Sequence, residues 1–301
     1  MKPGVRRYSA LEIKANYSCN TRCIYCCGYN NWRKPVLGYA AIEENIRYFM
    51  AEYGIEEVCL SGGEPTIHPD FLKAVRFVRE QGLRLYLHTN GLSFARRDFA
   101  GECAGLIDRA LVGFSYHDEA LCAALTGVRN SFARRLDGIA NLLAGGIPVR
   151  TNTVILRDNL AHLPEIAAIV AGLGTAKALF TLPFFIEATP AQVEQFVPAS
   201  LDAVMKQLRP AIGLLQERGI AVSLQGLPPC KLGEFAGLYE IDPDRVFVDS
   251  EHQFERHSTL FSGKLGYRQV DSCAGCMEAT RCWGFPAAGA MGRLGEALGL
   301  P

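Results

Sequence analysis

Residues 16–26 read Asn16-Tyr-Ser-Cys19-Asn-Thr-Arg-Cys23-Ile-Tyr25-Cys26, in which three cysteines stand at C-x3-C-x2-C spacing. The stretch follows directly on a strand-like segment, Ser9–Ala15. One short loop of this kind can wrap three thiolates around three corners of an iron–sulfur cube. Since such clusters usually take four cysteines, the spacing predicts a cluster with one iron open to another molecule.

The alternatives for these cysteines are a zinc site and a disulfide. A zinc knuckle needs a fourth ligand nearby, and the loop contains no histidine. Cys27 can replace Cys26 only by breaking the spacing, because position 30 is Asn30. The iron–sulfur interpretation is therefore favoured, with Cys27 as a bystander.

A glycine pair follows the second predicted strand, in the stretch Ser61-Gly62-Gly63-Glu64-Pro65. Two glycines let the backbone pass close to a ligand, and Glu64 with the nearby carbonyls offers hydrogen-bond acceptors. Together with the cysteine loop, in which Tyr25 precedes the third cysteine, this stretch resembles the radical S-adenosylmethionine (SAM) superfamily. The resemblance implies that the amino and carboxylate groups of SAM chelate the open iron. An electron from the cluster then cleaves SAM to methionine and a 5′-deoxyadenosyl radical.

Polar residues stand at the ends of the next three predicted strands. Thr89 and Asn90 end the third strand, Ser115 ends the fourth, and Asn152 lies on the fifth. The resemblance implies that such groups reach the methionyl carboxylate or the ribose of SAM. The alternative is that they are ordinary turn residues and strand-end caps.

Short β-branched runs alternate with amphipathic helical patterns from the N-terminus to about residue 218, which indicates a parallel sheet with right-handed crossovers. The predicted strands are Ser9–Ala15, Glu57–Leu60, Arg84–His88, Ala110–Ser115, Pro148–Ile155 and Ala178–Leu182. The predicted helices are Ala40–Tyr53, Phe71–Gln81, Arg96–Leu106, Phe132–Ala144, Leu163–Gly172 and Leu201–Arg218. The count fits a partial (β/α)6 TIM-like barrel, whose chemistry gathers at the carboxyl ends of the strands. His88 and His117 fall near that mouth, either as proton donors or as hydrogen-bonded loop residues.

The pattern changes from about residue 219, which divides the chain into a barrel at 1–218 and a small module at 219–301. Ile220–Leu224 is a further predicted strand, and the cysteines of the module are Cys230, Cys273, Cys276 and Cys282. Four thiolates from two segments can ligate a cube completely. The arrangement resembles the twitch or SPASM-type domains, with cysteines for one auxiliary 4Fe–4S cluster. A structural zinc site is the alternative. If Cys230 is not a ligand, the second cluster has an open iron that could hold the substrate.

Composition limits the class of protein. The 301 residues are 49% hydrophobic and 21% charged with no net formal charge, as in a globular protein. No basic cluster interleaves with aromatic residues, which disfavours a nucleic-acid substrate. The sequence has neither a signal peptide nor an apolar run of about 18 residues. Its eleven cysteines therefore suggest a reducing cytoplasm with metal-bound thiols.

The resemblance implies hydrogen-atom abstraction from a small molecule or a ribosomal peptide, leading to oxidation, cyclisation, crosslinking or rearrangement. A reducing partner such as flavodoxin or ferredoxin would supply the electron. Since the barrel begins near Met1, a peptide substrate is expected to need a separate leader-peptide recognition protein or direct docking. The alternatives are a methyltransferase without B12, for which only Cys27 suggests a methyl acceptor, and a catalytically silent iron–sulfur scaffold or electron carrier.

Overall fold

The computed structural model describes residues 8–26, 35–184, 190–240, 245–248, 255–256, 266–279, 282–286 and 289–300. Its helices are α1 Tyr39–Tyr53, α2 Phe71–Glu80, α3 Arg97–Cys103, α4 Glu119–Thr126, α5 Phe132–Ala144, α6 Leu163–Leu173, α7 Pro190–Phe196, α8 Leu201–Glu217 and α9 Gly289–Ala297. Its strands are β1 Ala10–Asn16, β2 Glu57–Gly62, β3 Arg84–Thr89, β4 Arg109–Gly113, β5 Val149–Val154, β6 Lys177–Thr181, β7 Ala221–Gln225, β8 Arg245–Val248, β9 Glu255–Arg256, β10 Tyr267–Arg268 and β11 Phe285–Pro286.

One sheet organises the molecule, in the order β7-β6-β5-β4-β3-β2-β1-β8-β9. The pairs from β7 to β8 are all parallel, and β9 joins β8 antiparallel at the edge. Spatial order follows chain order from β1 to β7, as expected when each crossover returns the chain to the neighbouring position. Across the described ranges the sheet stays open between β7 and β9. The predicted partial barrel is thereby confirmed.

The core lies between the sheet and the surrounding helices. Ile42, Ile46 and Phe49 recur on one face of α1 and are buried together with Leu11 and Ile13 of β1. Side chains of this size each contribute about 1.5–3 kcal/mol on burial. The apolar residues that meet in this core are therefore those that recur with the helical period of 3.6 or the strand period of 2. Polar residues can then stand at the strand ends, outside the core.

Three strands, β7, β8 and β9, extend the sheet beyond the six that the sequence predicts for the barrel. The strand expected at Ile220–Leu224 is present as β7, and it pairs with β6. Residues on both sides of the expected boundary at 218/219 therefore share one sheet, and the division into two domains stays a prediction. β8, from the region after that boundary, pairs with β1. Among the helices described, none is long and apolar enough to cross a membrane.

Candidate functional site

A cavity of about 800 Å³ opens at the carboxyl ends of the strands. Its lining begins at the loop after β1 and continues through the ends of β2, β3, β4 and β5. The expected site residues that line it are Cys19, Cys23, Cys26, Tyr25, Gly62, Gly63, Thr89, Asn90 and Asn152. The fold thus brings to one cavity residues that are spread over more than a hundred positions of the chain.

Two thiols of the loop lie beside one hydroxyl group. Thr21 Oγ1 is 3.1 Å from Cys19 Sγ and 3.5 Å from Cys23 Sγ. The Cys26 amide donates to the Cys23 carbonyl at 3.1 Å, which turns the third thiol back toward the second. Burial raises the pKa of Cys23, and the Thr21 hydrogen bond and the Arg135 charge oppose that rise. Among the described residues of the lining there is no fourth thiol, so this donor set fits a 4Fe–4S cluster with one open iron.

The glycine pair holds the start of this loop at very short range. The Gly63 amide donates to the Asn16 carbonyl at 2.8 Å, and the Glu64 amide donates to the Ser18 carbonyl at 2.9 Å. A Cβ at Gly62 would lie 2.2 Å from the Asn16 oxygen, and one at Gly63 would lie 2.1 Å from the Ser18 oxygen. Gly62 also has φ +139°, which side chains rarely allow. Both glycines are therefore required by the approach of two backbones.

The far side of the loop is fixed by α4, a helix that the sequence analysis did not predict. The Arg22 amide donates to the Thr126 carbonyl at 2.8 Å, and the Ile24 amide donates to the Leu125 carbonyl at 3.0 Å. These two carbonyls lie in the last turn of α4, where no amide of a following helical turn donates to them. The cysteine loop is thus clamped between β2 and α4.

Glu64 lies beneath the cavity instead of lining it. Its carboxylate accepts from the Thr66 hydroxyl at 2.6 Å, the Thr66 amide at 3.2 Å, the Thr89 hydroxyl at 2.7 Å and the Asn90 amide at 2.6 Å. The residue is 0% exposed, and burial raises its pKa while these hydrogen bonds oppose the rise. Its oxygens bind groups at the ends of β2 and β3, and the expected acceptor role of Glu64 toward SAM stays a prediction. Pro65 is buried as well and lies outside the lining.

Asn90 connects the third strand end to the cysteine loop. Its side-chain nitrogen Nδ2 donates to Asn20 Oδ1 at 2.6 Å and lies 3.7 Å from Cys19 Sγ. Thr89 lines the cavity, although its hydroxyl is engaged with Glu64. Of the two, Asn90 is the residue that reaches the thiols.

Ser115 and Asn152 have different surroundings. Ser115 is 0% exposed, its hydroxyl accepts from the Val154 amide at 3.0 Å, and it also hydrogen-bonds Tyr25. It caps a strand end, as in the alternative interpretation, and its contact with SAM stays a prediction. Asn152 lines the cavity and accepts from the Thr181 hydroxyl at 3.2 Å. Burial, reinforced by the Cys23 thiol, raises the pKa of Tyr25.

Arg135, which the sequence analysis missed, lines the same cavity from α5. It is 2% exposed, and its Nη1 donates to the Asn90 carbonyl at 2.8 Å. Nε and Nη2 have no hydrogen-bond partner among the described residues. Buried N–H groups normally have partners, so a charged group left this way at a cavity wall is suited to an anionic ligand. No feature of the sequence distinguishes Arg135 from the other arginines of amphipathic helices.

The four cysteines of the C-terminal region also come together. They line a cavity of about 280 Å³ with Gln269 and Phe285. The residues concerned are Cys230, Cys273, Cys276 and Cys282. Burial raises the pKa of Cys230 and of Cys282, and the Gly284 amide donates to Cys282 Sγ at 3.3 Å. Cys230 thus lies with the other three thiols, and the set can hold either a cube or a zinc ion.

Of the two candidate histidines, one lies at the cavity. His88 lines the cavity, whereas His117 stacks on His162 at 4.0 Å between ring centroids. Cys59, Cys103 and Cys122 are fully buried, as small apolar residues would be. Cys27 lies outside the described residues.

The aromatic stretch Phe180–Glu187 is only partly described. Phe180 and Leu182 belong to the core, and Phe184 packs against Tyr267 and Trp283 with centroids 6.2 and 6.1 Å apart. Residues 185–187 lie outside the described ranges.

Comparison with known proteins gives one family. Residues 13–170 match the model of the Radical SAM superfamily. The chain is 33% identical over 158 residues to the Methanocella arvoryzae protein named "Probable GTP 3′,8-cyclase", covering 50% of this chain and 49% of that protein. It is 30% identical over 169 residues to the PqqA peptide cyclase of Gluconobacter oxydans, covering 56% and 47%. The chain thus spans about half the length of the curated relatives it matches.

Solved structures share the fold. Streptococcus suis SuiB bound to S-adenosylmethionine superposes with a TM-score of 0.67 at 14% identity, covering 90% of this chain and 71% of that one. SuiB bound to its precursor peptide SuiA has a TM-score of 0.64 at 15% identity, covering 82% and 58%.

Proposed function

The chain belongs to the radical SAM superfamily, and on that premise we propose that it is an enzyme that cleaves SAM reductively and removes a hydrogen atom from a bound substrate. The observation that carries the proposal is that three thiols line one cavity together with the glycine pair, Gly62 and Gly63, and the buried Arg135. When bound, a 4Fe–4S cluster supplies the electron that splits SAM into methionine and a 5′-deoxyadenosyl radical.

The residues of the chain bind and orient SAM. Cys19, Cys23 and Cys26 are the proposed ligands of the first cluster. The backbone at Gly62 and Gly63 lies open to the cavity, where its carbonyls can accept from the SAM amino group. Two residues of the cavity wall have further binding roles: Asn152 would bind the ribose of SAM, and Arg135 would bind its carboxylate. Glu64 lies behind the wall and positions Asn90.

We further propose that the C-terminal region, 219–301, is a twitch or SPASM-like module. Its four gathered cysteines support one auxiliary 4Fe–4S cluster, which would bind substrate or transfer an electron. Cys230 is included as a ligand because it lines the same cavity as the other three.

The substrate is proposed to be a ribosomal peptide or a small molecule. Similarity to a peptide cyclase and to SuiB, which has been crystallised with a precursor peptide, supports the first. Similarity to a GTP cyclase supports the second. Either reaction would be an oxidation, cyclisation or crosslink, and a flavodoxin or ferredoxin could supply the electron that cleaves SAM. A peptide substrate would use a separate leader-peptide recognition protein.

The test is anaerobic reconstitution followed by iron and sulfide analysis and a 5′-deoxyadenosine assay under dithionite. We expect about eight irons per chain and 5′-deoxyadenosine formation in the unaltered protein. The triple variant Cys19→Ala/Cys23→Ala/Cys26→Ala is expected to lose about half of the iron and all SAM cleavage. Retained 5′-deoxyadenosine formation in that variant would contradict the proposal.

A further inference from the structure

We propose that the deep end of the cavity binds an anionic group of the substrate, a carboxylate or a phosphate, through the Lys14 ammonium. The inference rests on the proposed function, since it concerns the substrate of the same site. It assigns to Lys14 the binding of a substrate anion, a role that neither the cysteine loop nor the strand-end residues have.

Lys14 lies inside the barrel, below the ring of strand ends. It is on β1 two residues before Asn16, where the cysteine loop begins, and it pairs across the sheet with Ser61 of β2. Both residues line the cavity, as do Glu12 and His88. The cavity therefore continues from the thiols down into the barrel.

Aromatic rings hold the Lys14 ammonium without neutralising it. Nζ lies 4.9 Å from the centroid of the Phe247 ring and 5.4 Å from that of Tyr17, and both of these residues are 6% exposed. No carboxylate of the described part of the chain forms an ion pair with it. Ring faces attract a cation, and none of the hydrogen bonds described between residues of the chain uses the three donors of this ammonium, so they suit a hydrogen-bonding anion.

The nearest acid along the same strand is already engaged. Glu12 Oε1 accepts from the Ser61 hydroxyl at 2.7 Å, and Glu12 Oε2 lies 3.5 Å from Nη1 of Arg245, which is 2% exposed. Among the described residues, Glu12 is thus engaged by Ser61 and Arg245 and forms no ion pair with Lys14, which brings its own positive charge to this end of the cavity. That charge favours an anion as the group that completes the site.

The same charges disfavour a metal ion at this depth. Glu12, Cys59 and His88 bring ligand atoms within 4.8 Å of one another, which is a spacing that a metal could use. The Arg245 guanidinium supplies the positive charge at Glu12, however, and a divalent cation would be placed against it. An anion at Lys14 is attracted by the ammonium, and the Glu12 carboxylate beside it is offset by Arg245.

The cavity has room for a substrate group beside SAM. Its volume of about 800 Å³ is toward the upper end of the roughly 300–1,000 Å³ of small-molecule sites. SAM is expected at the thiols and the strand ends, with its carboxylate near Arg135 on α5. Lys14 belongs to a different wall, that of β1, so the two cations serve two different anions.

The experiment measures anion binding near the paramagnetic reduced cluster. The reconstituted holoenzyme is reduced with dithionite in the presence of 5′-deoxyadenosine and methionine, which fill the SAM site. Inorganic phosphate is then titrated with ³¹P relaxation as the readout, and ¹³C-labelled acetate with ¹³C relaxation. We expect saturable relaxation enhancement for at least one of the two anions, and the stronger binder names the substrate's anionic group.

Lys14→Met is expected to weaken that binding by about tenfold or more, since a charged hydrogen-bond donor is lost, and Lys14→Arg is expected to retain it. Lys206→Met removes an exposed lysine of α8 as a matched control and should bind as the unaltered enzyme does. Iron content is measured for each variant, and Lys14→Gln replaces Lys14→Met if the latter loses its cluster. Anion binding by Lys14→Met or Lys14→Gln as strong as that of the unaltered enzyme would overturn the inference. So would binding that the methionine and 5′-deoxyadenosine abolish, because Lys14 would then serve SAM. Failure of the unaltered enzyme to form 5′-deoxyadenosine would instead contradict the proposed function.

Discussion

At the residue scale, Gly63 is the position where one added carbon atom should cost the most. A Cβ there would lie 2.1 Å from the Ser18 carbonyl oxygen, and neither backbone can move without displacing the cysteine loop. We expect Gly63→Ala to lower the iron content of the first site and to abolish 5′-deoxyadenosine formation. Gly213→Ala on α8 is the control, because nothing lies within 4 Å of its Cβ and alanine favours a helix. Normal iron content in Gly63→Ala would contradict the clamp.

Cys103 tests whether the buried cysteines are inert. It is 0% exposed, and burial raises its pKa to about 12. A raised thiol pKa means that the reactive thiolate appears only as the pH approaches that value, so at pH 8 roughly one molecule in 10,000 is ionised. We expect iodoacetamide at pH 8 to label Cys276, which is exposed, after chelation of metal and to leave Cys103 unlabelled. Peptide mass spectrometry compares the two, and equal labelling would mean that Cys103 is not buried in solution.

The residues of the site differ in how far the sequence could reveal them. The three thiols were predictable because they occupy one short loop, and the glycine pair because it follows a strand. Arg135 was not, because its burial depends on how α5 meets β3. Glu64 was predicted as a ligand-facing acceptor, since the sequence does not show that the donors of Thr89 and Asn90 reach it first.

At the scale of elements, Asn159 joins two strand ends. Its Nδ2 donates to the Ser115 carbonyl at 2.9 Å and to the Val154 carbonyl at 2.8 Å, and its Oδ1 accepts from the Leu156 amide at 2.8 Å. The residue is 0% exposed. We expect Asn159→Ala to lower the free energy of unfolding by about 2–4 kcal/mol, because buried backbone groups lose their partners.

Thermal unfolding of the holoenzyme provides the measurement for Asn159→Ala. Asp158→Ala changes the exposed neighbouring residue and should leave the midpoint nearly unchanged. An unchanged midpoint in Asn159→Ala would mean that other contacts suffice to hold the ends of β4 and β5.

Elements whose residues repeat with a clear period were predictable to within a few residues. β1 to β6 and their six helices belong to this class. α4 was missed because it is short, Glu119–Thr126, and stands inside a loop-like stretch. The pairing of β8 with β1 was missed because the two strands are more than two hundred positions apart and no local pattern links them.

At the scale of the whole molecule, the two cysteine sets line separate cavities. We therefore expect Cys273→Ala/Cys276→Ala to lose about half of the iron while retaining SAM cleavage without product. Iron analysis together with the 5′-deoxyadenosine assay checks this. Ala279→Ser changes the lining of the same cavity without removing a thiol and should keep the full iron content. If the cysteine variant loses zinc and no iron, the C-terminal site is structural.

The clamp on the cysteine loop has a consequence for biosynthesis. Cys19 to Cys26 leave the ribosome before Leu125 and Thr126, whose carbonyls accept from the amides of Ile24 and Arg22. At about 5–20 residues per second, roughly 5–20 s of translation separate the loop from these anchors. During that interval the loop can be held on its β2 side, through Gly63 and Glu64, but it lacks its anchors on α4. We therefore expect chains stalled before residue 126 to bind less iron at this loop than the full chain does, because the hydrogen bonds to Leu125 and Thr126 are missing.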